Sequence, residues 1–256
     1  MIPLRDTNPT VRRPWITYAF IALNVAAFLL WQPLGGAADQ PSDVLAAPGR
    51  PLSQGELFVF CHGGIPEELI DLEAIPEVSE ACGGKSVLLS LFTSMFLHGG
   101  LLHLGGNMLY LWIFGNNIED RMGHVAFFFF YLAAGVVATY AHVLTDTGSV
   151  IPLVGASGAI AGVLGAYLVL YPHARVLTAV AFLFVTLVEL PALVVLGFWF
   201  VLQAFQGVGS LGAGNLGGVA WWAHIGGFVF GAAVAWLLYR SRSQRREIIV
   251  PPEWRY

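Results

Sequence analysis

Long apolar runs constrain this chain more than anything else in it, because a helix of about 20 apolar residues is long enough to cross a bilayer. Such runs occupy residues 15–31, 87–114, 125–144, 152–171, 176–202 and 219–239. With 57% hydrophobic and only 11% charged residues, and a mean hydropathy of +0.71, the chain falls far from a soluble domain, in which about a quarter of residues are charged. It reads as a membrane protein, and its 256 residues count spans rather than soluble domains.

The charges orient it. Arg5, Arg12, Arg13, Arg121, Arg175, Arg240, Arg242, Arg245, Arg246 and Arg255 lie at the ends or in short loops. Arg50 and Lys85 instead share residues 32–86 with nine acids. The positive-inside bias therefore puts the 32–86 segment outside and both termini in the cytosol, which requires an even number of spans. No small-residue cleavage site follows the first run, so it reads as a span rather than a signal peptide. Cys61 and Cys82 both fall in the external segment. An oxidising compartment would permit a disulfide between them, with two free thiols as the alternative.

Two runs are too long for one span. In 87–114, His98-Gly99-Gly100 separates an interfacial or re-entrant piece, 87–97, from a span over about 101–121. In 176–202, Glu189-Leu190-Pro191 separates residues 176–188, dense in Val, Phe and Thr and suited to an extended interfacial segment or hairpin, from a fifth span over 191–206. The same division carries Glu189 to the cytosolic edge, whereas one kinked helix would hold it at mid-bilayer, where an acid is costly. The expected architecture is an all-α membrane protein. It has a cytosolic segment 1–14, a membrane domain 15–240 with six spans (15–31, 101–121, 125–144, 152–171, 191–206, 219–239), and a basic cytosolic tail 241–256. Residues 207–220, with six glycines and no charge, read as an external loop.

Polar side chains inside the apolar runs carry the chemistry. Ser157 stands among small residues in Gly155-Ala156-Ser157-Gly158, and a serine in a membrane helix is ordinarily a packing residue. His224 lies near the outer start of the sixth span, where an ionisable group normally faces the bundle interior. Topology brings it to the depth of Ser157, and a neutral imidazole is the side chain suited to take a serine proton near pH 7. His103 and Asn107 are spaced i, i+4 on one face of the second span, where both could donate to a developing oxyanion. Gly158, Gly162, Gly227 and Gly231 form small-residue faces suited to close helix contact.

Together these segments resemble the rhomboid family of intramembrane serine proteases. The resemblance rests on Phe96-Leu97-His98-Gly99-Gly100-Leu101-Leu102-His103 through Asn107, on Gly115 with Glu119-Asp120-Arg121, on Gly155-Ala156-Ser157-Gly158, and on Ala223-His224-Ile225-Gly226-Gly227 with Gly231. It implies a six-helix rhomboid-like bundle of the prokaryotic, plasma-membrane type with a site open to the extracytoplasmic side. Ser157 would be the nucleophile and His224 the general base; His103, Asn107 and the Ser157 N–H would form the oxyanion hole. The substrates would be single-span membrane proteins, cut within or near the bilayer at small, helix-weakening residues. The chain departs from the family at two places. Leu89-Ser90 stands where many members have Trp-Arg, and Ala161 where some bacterial members stack a tyrosine on the catalytic histidine, which leaves Trp221 or Trp222 to orient His224. For His98 a hydrogen bond fixing the loop before the second span is expected.

The alternative is a catalytically silent relative that binds membrane proteins, a class that typically lacks the serine or the histidine. A transporter or channel would need acids at mid-bilayer. No nucleotide loop, Cys/His metal pattern or internal repeat is evident, so neither cofactor nor metal is expected, and the basic tail reads as an orientation signal rather than a nucleic-acid site.

Overall fold

The computed structural model describes residues 1–34, 39–46, 50–181, 185–210 and 219–239. The basic tail and the centre of the glycine-rich loop, 211–218, lie outside them. The chain opens with strand β1 (Ile2–Asp6) and then helix α1 (Trp15–Ala26), which continues as a π-helical turn to Trp31. The external segment holds a two-stranded sheet, β2 (Pro41–Ala46) with β3 (Arg50–Ser53), and three short helices, α2 (Gln54–His62), α3 (Pro66–Asp71) and α4 (Pro76–Ala81). Ser53 and Glu56 cap α2 reciprocally, each side chain accepting from the other's backbone N–H. Cys61 and Cys82 are joined in a disulfide, with Cα atoms 5.6 Å apart. Lys85 and Glu68, whose side chains are both buried, form an ion pair beside it, and Lys85 Nζ also donates to Phe60 O at 2.7 Å. An unpaired buried charge would be prohibitive, and these two satisfy each other.

The long apolar run 87–114 breaks where the glycines fall. Helix α5 (Val87–Thr93) and a 3₁₀ turn, Ser94–Phe96, meet the next helical segment at 81°. That segment is α6 (Leu101–Tyr110), a π-helical turn Leu111–Gly115, and α7 (Asn116–Met122). Leu88, Leu89 and Phe92 of α5 are exposed, while Ser90 is buried and donates to Val87 O at 2.8 Å. Helices α8 (His124–Val143), α9 (Ser157–Leu170), α10 (Ala192–Ser210) and α11 (Trp221–Leu238) complete a mostly helical fold. By length and composition α8, α10 and α11 can each cross a membrane, the bent α5/α6–α7 pair makes a fourth candidate, and Trp15–Trp31 and Ser157–Leu170 are shorter apolar helices.

The core forms around α9, whose residues from Gly158 to Tyr167 are all buried between α8 and α11. Glycines permit that density: a Cβ on Gly227 would fall 2.1 Å from Gly158 O, and one on Gly231 would fall 1.8 Å from Gly162 O. Gly158 and Gly162 in turn face Ala138 and Ala134 of α8. The acidic end of α7 gathers the opposite termini of the bundle. Glu119, fully buried, accepts from the N–H groups of Ile16 and Thr17 and from Thr17 Oγ1, capping a helix start that has no side-chain cap of its own. Asp120 accepts from Arg12 N at 2.9 Å, and Arg121 donates to Tyr239 O at the end of α11.

Four boundaries differ from expectation. Helix α9 begins at Ser157 rather than near 152; residues before it run extended, with Leu153 and Gly64 exchanging backbone hydrogen bonds and Gly155 N donating to Ser94 O. Helix α10 continues through Gly207 to Ser210, into the segment read as loop. Strands β4 (Arg175–Ala181) and β5 (Val185–Pro191) pair antiparallel, as the hairpin reading of 176–188 expects, but β5 runs on to Pro191, so that Glu189 lies on it. The N-terminal segment 1–14, for which no strand was expected, supplies β1 as a third strand on the free edge of β4. A strict all-α description therefore gives way to a helical bundle with two small sheets.

Candidate active site

Ser157 is the first residue of α9, so its N–H and those just after it have no partner within the helix. Its hydroxyl oxygen lies 2.8 Å from His224 Nε2, in the first turn of α11. Ser157 is half-buried and His224 buried. For Ser157 to donate to Nε2, the ring proton must sit on Nδ1, and Nδ1 faces Gln203 Oε1 at 2.6 Å. A serine, a neutral imidazole and an amide acceptor thus form one chain of hydrogen bonds across α9, α11 and α10.

His103 approaches from α6. Gly155 adopts φ +124°, and a Cβ there would stand 2.9 Å from His103 Cε1 and 3.0 Å from Nε2, so the glycine both supplies the left-handed turn and admits the ring. Gly99 N–H donates to His103 Nδ1 at 3.4 Å, which leaves the ring proton on Nε2, on the side of the ring that faces Gly155. Asn107, one helical turn further on, is buried, and its Nδ2 has no hydrogen-bond partner among the described residues. A buried amide donor left free is costly unless something transient uses it. A small cavity beside Ser157 is bounded by Ser94, Met95, Gly135, Ala138, Thr139 and Leu153 among others, with little side-chain bulk apart from Met95, Leu153 and Val154.

A family model described as the Rhomboid domain matches residues 85–241, more than half of the chain. The chain belongs to the rhomboid family. Rhomboid protein 1, mitochondrial, of Saccharomyces cerevisiae is 32% identical over 164 residues, 62% of this chain and 44% of that protein. Rhomboid protease GluP of Bacillus subtilis is 29% identical over 228 residues, 87% of this chain and 35% of that one. Presenilin-associated rhomboid-like protein, mitochondrial, of Bos taurus is 33% identical over 121 residues, 46% of this chain and 32% of its own. This rhomboid chain spans less than half the length of these relatives.

Ser157, His224, His103 and Gly155 of this rhomboid chain meet at one place, and the small cavity adjoins Ser157. His98 makes hydrogen bonds that fix the loop before the second span, as expected. Its backbone, not its ring, fixes the loop: His98 N donates to Gln32 Oε1 at 2.9 Å, Gln32 Nε2 donates to His98 O at 3.1 Å, and the buried ring nitrogens have no partner among the described residues. Nor do Trp221 and Trp222 hold the histidine by hydrogen bonds. Trp221 stands edge-on to its ring at 6.2 Å and Trp199 of α10 lies 5.9 Å away, but the polar contact comes from Gln203, which the sequence reading missed. The available signal was an amide within the apolar run of the fifth span. Gln206 carries the same signal three residues on, and the run alone does not say which of the two faces α11.

Proposed function

We propose that this protein is an intramembrane serine endopeptidase that hydrolyses peptide bonds in or near the transmembrane segments of single-span membrane proteins. The observation that carries the reading is the 2.8 Å contact between Ser157 Oγ and His224 Nε2 at a helix N-terminus, with a histidine and a free amide alongside. In this mechanism His224 takes the Ser157 proton as the oxygen attacks the substrate carbonyl. The oxyanion is received by the Ser157 N–H, His103 Nε2–H and Asn107 Nδ2. His224 then protonates the leaving amine, and water, activated by the same imidazole, hydrolyses the acyl-enzyme. The small side chains around most of the cavity favour a small residue at the cleaved bond.

The same reading assigns six crossings, with both termini in the cytosol of a prokaryotic cell and the site open outward. Helix α9 spans about 21 Å at 1.5 Å per residue, and residues 152–154 before the turn at Gly155-Ala156 add about 10 Å, together enough for a core of about 30 Å. The backbone there bonds to Gly64 and Ser94, which satisfies groups that a non-helical stretch at membrane depth could not leave to lipid. A silent binding module gives no reason for a serine and a buried imidazole to share a hydrogen bond. Purified protein in liposomes, given a single-span substrate and a serine-directed fluorophosphonate, tests the assignment. Cleavage is expected to vanish in Ser157→Ala and His224→Ala, and labelling in Ser157→Ala. Cleavage that persists in either variant sinks the dyad.

A further inference from the structure

We infer that Gln203 of α10 is a positioning residue for the reaction: its carbonyl holds the His224 proton on Nδ1 and thereby keeps Nε2 free to accept from Ser157. This rests on reading His224 as the general base. A neutral imidazole has two tautomers, and only the one protonated at Nδ1 can accept a proton at Nε2. Gln203 Oε1 can only accept, so at 2.6 Å from Nδ1 it selects that form.

The placement of Gln203 argues for more than packing. Helix α10 meets the bundle through one stripe, with Ala192, Val195, Leu196, Gln203 and Gly207 buried, while Val201, Leu202, Phe205 and Val208 around Gln203 are exposed. The stripe is otherwise apolar or glycine, and an amide buried there is costly unless bonded. At Gly207 a Cβ would lie 3.1 Å from Ile225 Cδ1, so the two helices are close together just beyond Gln203. The bond crosses from α10 to α11, so the base is held in its working tautomer only while α10 is seated. Among the described residues Nδ1 is bonded to Gln203 Oε1 and to no carboxylate, so the orienting group is neutral and adds no charge to the site.

The test uses the full chain in liposomes: wild type, Gln203→Leu, which removes the acceptor, and Gln203→Glu, which keeps an oxygen at the same reach. Gln203→Leu is expected to lower kcat about tenfold or more, the loss of one buried hydrogen bond, with KM unchanged. Gln203→Glu should stay within about threefold of wild type on the same reasoning. Nitrogen NMR of histidine-labelled protein, with His224→Gln identifying the signal, should find the His224 proton on Nδ1 in wild type and moved toward Nε2 in Gln203→Leu. An active wild type with undiminished kcat in Gln203→Leu overturns this assignment, as does a wild-type His224 proton on Nε2; the latter measurement needs no folded Gln203 variant. A wild type that neither cleaves nor reacts with fluorophosphonate overturns the protease reading instead.

Discussion

Gly227→Ala is a sharp test of what holds the site together, because it perturbs the seam between α9 and α11 without touching a reacting group. The new Cβ would fall 2.1 Å from Gly158 O and 3.3 Å from Ala138 Cβ. An ordinary carbon–oxygen contact is about 3.3 Å, so α11 must withdraw by about 1.2 Å. His224 is three residues before Gly227 on the same helix, and its Nε2 begins 2.8 Å from Ser157 Oγ. The withdrawal takes that contact to about 4 Å, past hydrogen-bond reach. A misplacement near 1 Å costs about 10²-fold in rate, and overpacking a close seam costs about 1–3 kcal/mol of stability. Cleavage of a single-span substrate and fluorophosphonate labelling should both fall about a hundredfold, with a thermal midpoint lowered by several degrees. Gly197→Ala on α10 is the control. Among the described residues nothing beyond its chain neighbours and its own helix backbone lies within 4 Å of a Cβ there, so activity should stay and stability rise by about 0.5–1 kcal/mol. Wild-type turnover and midpoint in Gly227→Ala would refute the argument that backbone contact at this seam sets the distance within the dyad.

Three further outcomes follow from particular contacts. Gly155→Ala forces an alanine into φ +124° with its Cβ against the His103 ring, so labelling of Ser157 should slow at least about tenfold, at a strain of about 1–3 kcal/mol, and an unchanged labelling rate would show that the ring does not need that space. Reduction of Cys61–Cys82, or Cys82→Ser, removes a cross-link spanning 21 residues and should destabilise the chain by about 3 kcal/mol, read as a lowered thermal midpoint under reductant. Asp6 accepts from Tyr167 OH and Asn117 Nδ2, and burial raises its pKa above the ordinary carboxylate value, outweighing those hydrogen bonds. A raised folded pKa means that the folded state binds the proton more tightly. The stabilisation is therefore complete below pH 3.8 and is lost as pH rises through the folded value. Asp6→Asn should flatten that dependence, and a slope as steep as wild type would place its origin elsewhere.

What could be read from the sequence depended on whether a residue's role is visible in its own neighbourhood. Ser157, His224, His103 and Asn107 stood out because a polar group in an apolar run must be explained, and the positive-inside bias together with span counting brought Ser157 and His224 to one depth. The break at His98-Gly99-Gly100 and the hairpin around Glu189 were legible for a similar reason, since each run exceeded the length of one span. Strand β1 was not, because Ile2-Pro3-Leu4-Arg5-Asp6 has no strong strand pattern and is extended only through pairing with β4, more than 160 residues away. Gln203 shows a different limit. An amide in an apolar helix announces that some partner exists, but which of Gln203 and Gln206 finds it depends on how α10 is rotated against α11. Packing fixes that rotation, at Gly207 against Ile225 and at Val195 and Leu196 in the core. With Ala161 in place of a ring, orientation of His224 passes to a different helix, and the departure from the family's pattern one turn after Ser157 is answered from α10 rather than from α9 itself.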